Sequence, residues 1–194
     1  MKSDAILPAI LTTLALSAAA GLPLAGLSGC DSSDKSVSAD EGMSREESAR
    51  ATISKFMAQD PGLQKFFDSA AGWAVFPPIG KGGLLVGAAH GSGVVFNKAG
   101  AAIGYSSMTA GSIGAQIGGQ SFSEIIFFKE QADLDTFKRG EFEFDANASA
   151  VAIKSGAAAA ADYSKGVAIF VTDLKGLMAE ASVGGQKFTY TPKN

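Results

Sequence analysis

Ala49, Ile53, Phe56 and Met57 recur at helical spacing behind Ser44-Arg45-Glu46-Glu47, in which Ser44 and Glu47 form a capping box. The pattern predicts an amphipathic helix that opens at Ser44, flanked by Arg45, Arg50 and Lys55. Asp60-Pro61-Gly62 breaks it, and proline suits the first position of a second helix carrying Leu63, Phe66, Phe67 and Ala70 inward, with Gly72 ending it.

From Trp73 onward the period changes. Short runs of branched and aromatic residues alternate with glycine and turn residues, which predicts strands. The runs are Trp73–Phe76, Leu84–Ala89, Val94–Asn97, Ala101–Met108, Ile113–Gly118 and Glu124–Lys129. A third helix fits Glu130–Arg139, with Leu134 and Phe137 inward and Gly140 closing it. Further strands fit Phe142–Phe144, Gly166–Thr172, Leu177–Val183 and Lys187–Tyr190, and Asn97-Lys98-Ala99-Gly100 reads as a hairpin turn. Glycines such as Gly87, Gly91, Gly93, Gly104, Gly111 and Gly114 recur inside the strand patterns. Glycine weakens a strand, so its repetition calls for tight bending or close backbone approach. Helices grouped at the start and strands after them give an α+β class: N-terminal helices packed on a strongly curled, largely antiparallel, barrel-like sheet.

Composition narrows the function. The chain has 194 residues, 46% hydrophobic and 18% charged, with 24 glycines and a net charge of −3. That size suits one domain. A slightly acidic balance speaks against a nucleic-acid partner. One Cys excludes a disulfide framework and a cysteine zinc site within the chain, so no metal or other cofactor is expected. Residues 31–50 carry six acidic and three basic side chains, and residues 51–194 carry twelve of each, so the acidity belongs to the N-terminal part. Between Ser69 and Ser123 there is no carboxylate, only Lys81, His90 and Lys98.

The first residues read as an address. Leu11–Ala20 is an apolar middle of the length a secretory signal needs, and Pro8, Gly21 and Pro23 interrupt the longer apolar stretch that a transmembrane helix would want. Leu27-Ser28-Gly29-Cys30 resembles a bacterial lipobox. That resemblance implies cleavage before Cys30 and acylation of its sulfur and new amine, two or three chains being enough for a stable anchor. An ordinary cleaved leader with a chance cysteine is the alternative. Asp31 resembles the signal for retention at the inner membrane, with the outer membrane as the alternative. The organisation expected is therefore a signal peptide over 1–29, a disordered polar tether over 30–43 and a globular domain over 44–194. The tether would reach about 20 Å as a coil, which keeps the domain near the leaflet that anchors it.

Candidate chemistry is sparse. His90 has no second histidine or free cysteine beside it and reads as a strand-end residue meeting solvent. Ser164 and Lys165 are adjacent in an extended stretch and point to opposite faces, which argues against a catalytic dyad. Gly80-Lys81-Gly82 lacks the remaining glycine and the Ser or Thr of a phosphate loop. Glu141, Glu143 and Asp145 share one face of a strand, either as a calcium face or, more simply, as a solvated one. No pair of groups offers acid, base and nucleophile together, so an enzyme is not expected.

Ala71-Gly72-Trp73-Ala74-Val75-Phe76-Pro77, Gly82-Gly83-Leu84-Leu85-Val86-Gly87, Gly91-Ser92-Gly93-Val94-Val95 and Gly111-Ser112-Ile113-Gly114-Ala115-Gln116-Ile117-Gly118-Gly119-Gln120 stand in one order. Glu124-Ile125-Ile126-Phe127-Phe128, Phe137-Lys138-Arg139-Gly140, Gly166-Val167-Ala168 and Lys175-Gly176-Leu177 continue it. This ordered set, over nearly all of residues 45–190, resembles the SYLF-domain family. The resemblance implies a lipid-binding domain, described for eukaryotic members as phosphoinositide-binding and for some as actin-binding. Only the phospholipid partner suits a bacterial envelope. The family's Tyr-Ser-x-Ser-Lys-Gly stretch is thinned here to Tyr163-Ser164-Lys165-Gly166.

The expectation is thus a non-enzymatic envelope lipoprotein, anchored through Cys30 with its domain in the periplasm and in contact with phospholipids. Lys55, Lys65, Lys81 and Lys98 would meet phosphate headgroups, and Phe66 and Phe67 would add apolar contact on a basic amphipathic helix. Core packing of those aromatics is the plain alternative. A structural or assembly role through self-association or an envelope protein partner is the rival function, and a transmembrane pore is a third.

Overall fold

Helix α1 runs Ala39–Gln59 and so opens five residues before Ser44, inside the stretch expected to be a disordered tether. Ser44 thereby becomes an interior position rather than the cap. The apolar stripe is as expected: Ala49 and Phe56 are fully buried, and Ile53 and Met57 pack against the same cluster. The computed structural model describes residues 39–82, 86–113, 120–140, 142, 144, 149–172, 180–182 and 185–194. Cys30, Asp31 and the signal segment lie outside them, as do Glu141, Glu143 and Asp145.

A 3₁₀ turn at Pro61–Leu63 leads into α2, Gln64–Ser69. Gly72 does not end this helix: Ala70 is already extended, and Gly72 opens the first strand. The strands are β1 Gly72–Gly82, β2 Val86–Asn97, β3 Ala102–Ile113 and β4 Gln120–Phe128. Helix α3 (Gln131–Lys138), β5 (Ser149–Ala152), helix α4 (Ala157–Ala160), β6 (Val167–Thr172), β7 (Glu180–Ser182) and β8 (Gln186–Pro192) follow. One pair of expected strands fuses, residues 86–97 forming a single strand, and Ala101–Met108 extends to Ile113, while the remainder of the expected strand Ile113–Gly118 lies outside the described residues. The turn at Asn97–Gly100 is present, closed by Gly100 N–H to Asn97 O at 2.9 Å, with Gly100 at φ 74°. Phe142 and Phe144 are not in a strand, although Phe144 exchanges backbone hydrogen bonds with Gln186 and Gly185.

The strands form one sheet in the order β7-β5-β6-β4-β1-β2-β3-β8. Each neighbouring pair is antiparallel except β5 and β6. β7 and β8 are the two edges and do not pair with each other, so the expected barrel is corrected to an open sheet in a mixed α+β fold. The glycines have another cause, which is close side-chain approach. A Cβ on Gly93 would stand 2.6 Å from the Phe76 ring and 2.7 Å from Val75 O, and one on Gly104 would collide with the Tyr190 ring.

Both faces of the sheet are buried, which explains why the central strands read as continuous apolar runs. Trp73, Val75, Phe96, Ile125, Phe127 and Phe170 face α1 and α2. Ala74, Phe76, Ile126, Phe128, Ile169 and Val171 face the opposite way and meet Leu134 and Phe137 of α3 and Phe188 of β8. The alternation along each strand sorts its residues between these two clusters.

Candidate functional site

A surface cavity of about 270 Å³ is lined by Lys65, Phe66, Ser69, Ala161, Asp162 and Tyr163. The chain brings these together by one buried carboxylate. Asp60, 3% exposed, accepts from Gly62 N–H at 3.0 Å and from Ala158 N–H at 2.7 Å, tying the turn before α2 to the first turn of α4. The Ala158 hydrogen bond, with further N–H groups of Gly62, Gly156 and Ala157, holds this carboxyl below the usual range against the opposing effect of burial. Lys65 then lies beside the chain leaving α4: its Nζ donates to Ala161 O at 3.0 Å and Ala159 O at 3.5 Å. The ammonium also stands 4.8 Å from the centre of the Phe66 ring, an electrostatically favourable position.

The hydroxyls of Ser69 and Tyr163 meet at 3.3 Å on the same cavity. Burial pushes the Tyr163 hydroxyl up from its ordinary value, so it remains a donor across the physiological range. Asp162 accepts from the next N–H, that of Tyr163, at 2.7 Å, and its carboxylate completes the rim. The site therefore offers one ammonium and two hydroxyls over an aromatic wall, donors suited to an oxyanion with an attached apolar body, against one carboxylate, that of Asp162, on the rim.

The stretch that follows is a turn. Ser164 and Val167 exchange both backbone hydrogen bonds, and Lys165 and Gly166 have φ of 48° and 82°, the signature of a type I′ turn. The Asp133 carboxylate occupies the space a Cβ of Gly166 would need, and Lys129 N–H donates to Gly166 O at 2.8 Å, so α3 is seated on this turn.

Residues 109–193 match the model of the Ysc84 family, described as Las17-binding protein actin regulator. A relative, Beta cell expansion factor A of Aeromonas veronii, is 30% identical over 140 residues, which cover 72% of this chain and 53% of that protein. The chain thus spans about half the length of this curated relative. The SYLF family is thus matched over residues 109–193. The SYLF match takes in Ala161, Asp162, Tyr163 and the turn after them, while Lys65 and Ser69 precede it.

The residues singled out in the sequence are only partly assembled. Lys65 and Phe66 line the cavity, but the Phe66 side chain is an interior group. It is 2% exposed, with ring centres of Phe170, Tyr163 and Phe127 at 4.9, 5.3 and 5.5 Å, and so presents no apolar face to a bilayer. Phe67 is half-buried against Trp73 and Phe127. Lys55 is exposed on α1, and Lys98 is exposed at the tip of the β2–β3 turn. Lys81 holds a ladder position opposite Ala89 and Gln120, and its side chain lies outside the described residues. Gly80-Lys81-Gly82 is thus strand rather than phosphate loop. His90 is exposed, in the middle of β2 rather than at a strand end. Among the described residues no helix is long and apolar enough to cross a membrane, and no group of three acidic, His or Cys side chains could hold a metal.

A second cationic group escaped the sequence. Lys193 pairs with Glu46 across the fold, and Tyr105 donates to the same carboxylate at 3.3 Å. Arg45 stands 5.9 Å over the Tyr105 ring, and Arg50 stands 5.2 Å over Phe96 and donates to Gly100 O at 3.2 Å. Lys193 meets the carboxylate directly, whereas Arg45 and Arg50 of the same helix lie over the Tyr105 and Phe96 rings. Their separation in the chain hid the arrangement, because Lys193 and Glu46 lie at opposite ends of the domain.

Proposed function

We propose that this protein is a non-enzymatic, membrane-anchored SYLF protein of a bacterial envelope whose domain binds phospholipid headgroups. The observation that carries the reading is the convergence of Lys65 Nζ with the Ser69 and Tyr163 hydroxyls on one cavity with an aromatic wall. A phosphate oxygen is the ligand those donors suit, and each cation near an anionic surface adds about 1 kcal/mol. Acylation of Cys30 would place the domain beside the leaflet, and Arg45, Arg50, Lys98 and Lys193 would supply further positive charge. Inner-membrane anchoring follows from Asp31, and the same cavity would serve a domain anchored to the outer membrane.

Flotation of the fragment 37–194, a compact unit by itself, tests this on vesicles of phosphatidylcholine alone and with phosphatidylglycerol. Enrichment on the anionic vesicles, lowered by Lys65→Glu, is the expected result. Background recovery on both overturns it. The unpaired edges β7 and β8 favour a second reading, assembly through protein contacts. Cross-linked species in cells, together with background flotation, would establish that reading instead.

A further inference from the structure

Glu124 lies within the cluster that faces α3, fully buried, a place where a carboxylate has no stable home. Its cross-strand neighbours are Phe76 on β1 and Val171 on β6. Gln186, 2% exposed, opens β8 and reaches across the interior to donate from Nε2 to Glu124 Oε2 at 3.0 Å. Two buried oxygens are left with no partner: Oε1 of Glu124 and Oε1 of Gln186. Both are acceptors while the carboxyl is ionised. A proton on Glu124 Oε1 turns one of them into a donor, and a carboxylic acid and a primary amide then close a ring of two hydrogen bonds that satisfies both.

We propose that Glu124 and Gln186 form a proton-bound acid–amide latch that fastens the start of β8 to the interior, and that loss of this one proton loosens the strand. Burial supports it by pushing the Glu124 carboxyl up to about 7, opposed only by the Gln186 hydrogen bond. The titratable groups on neighbouring elements are engaged elsewhere. On α3, Asp133 accepts from Glu130 N–H, and Asp135 is held by Gln131 and Lys138. On β8, Tyr190 donates to Ile103 O, and Lys187 is exposed. Among the described residues none of these acts on Glu124.

The position makes the latch consequential. β8 is an edge strand of the sheet, laddered to β3, and beyond it the start of β8 exchanges backbone hydrogen bonds with Phe144 alone among the described residues. Two residues beyond Gln186, Phe188 packs on Phe76, Phe137 and Phe144 at ring distances of 5.2–5.5 Å. Ionised Glu124 would leave two buried acceptors facing each other at the start of this strand, and the least costly relief is to admit water there, which uncovers the aromatic interior. The inference does not depend on lipid binding.

The test compares the full chain with its Glu124→Gln variant, a neutral replacement of the same shape, between pH 4.5 and 8. The wild-type unfolding equilibrium constant should rise by roughly 150-fold over this range, and that of the variant should stay nearly flat. Hydrogen exchange at the amides of Phe188 and Thr189, referred to those of β4, should accelerate with pH in the wild type alone. Parallel pH profiles for the two proteins would overturn the proposal. If the variant does not fold, the carboxyl carbon of Glu124 in the wild type decides by NMR titration: a midpoint near 7 supports the latch, and one near 4.5 removes it.

Discussion

Gln186 on β8 donates to Glu124 on β4 at 3.0 Å, although the ladder places three strands between them. The hydrogen bond therefore spans the interior face rather than running along the sheet. It makes the folded state sensitive to protons in a definite direction. A carboxyl raised from 4.5 to about 7 binds its proton more tightly in the folded than in the unfolded chain. The contribution of Glu124 is complete below pH 4.5 and is lost as pH rises through 4.5 to about 7, by about 3 kcal/mol in total. Urea denaturation at pH 4.5, 6 and 8 measures this fall.

Asp60 gives the opposite sign. Its carboxyl is lowered in the fold by the N–H groups it accepts from, Ala158 first, so its contribution is present above pH 3.8 and is lost as pH falls below that value. Asp60→Ala should destabilise by about 3 kcal/mol, because the N–H groups it serves at Gly62 and Ala158 lose a charged acceptor in a buried place. Asp60→Asn keeps one acceptor and should cost about half of that. Denaturation midpoints of the two variants at pH 6 check the order, and a variant scan below pH 4 checks the sign.

Two glycines separate packing from backbone strain. Gly93→Ala places a methyl against the Phe76 ring and Val75 O and should cost about 2–3 kcal/mol through overpacking. Gly100→Ala meets open space but sits at φ 74°, so its cost is the strain of the left-handed region, about 1 kcal/mol. Thermal melts of both variants give the comparison.

Phe66 and Lys65 are neighbours with different expected phenotypes. Phe66→Ala removes a ring held among Phe127, Tyr163 and Phe170 and should cost about 3–5 kcal/mol of stability. Lys65→Gln leaves the fold nearly unchanged and should weaken binding to anionic vesicles about fivefold, equal to about 1 kcal/mol. Circular dichroism melts alongside vesicle titration resolve the pair, and a loss of vesicle binding from Phe66→Ala without loss of stability would contradict the assignment.

The legible parts of the sequence were those with a strong period or an uninterrupted apolar run. The stripe Ala49-Ile53-Phe56-Met57 gave α1, and the runs around Val75, Ile126 and Ile169 gave the central strands. β5 and α4 went unseen because residues 146–162 are mostly alanine, which carries no contrast between faces and suits a helix as well as a buried strand. Asp60 was read as a helix breaker, since its partner Ala158 lies 98 residues away and backbone N–H groups leave no mark in a sequence. Lys65 was visible as a basic residue beside aromatics. The carbonyls that hold it and the Tyr163 hydroxyl near it were not. Glu124 looked like the polar start of a strand, and only the return of β8 across the interior buries it. The repeated glycines suggest tight bending or close backbone approach in a closed barrel, whereas the structure fills the space beside Gly93 and Gly104 with the Phe76 and Tyr190 side chains of an open sheet.

The placement of β8 against β3 also sets the order of events during synthesis. Ala110 and Gln186 face each other in the ladder, yet about 75 residues separate them in the chain. A nascent chain that has just made β3 exposes an unsatisfied strand edge and the Phe76 ring that Phe188 will cover. Until residues 186–192 emerge, that edge is a sticky template for neighbouring polypeptides, and its protection then falls to chaperones or to speed of translation.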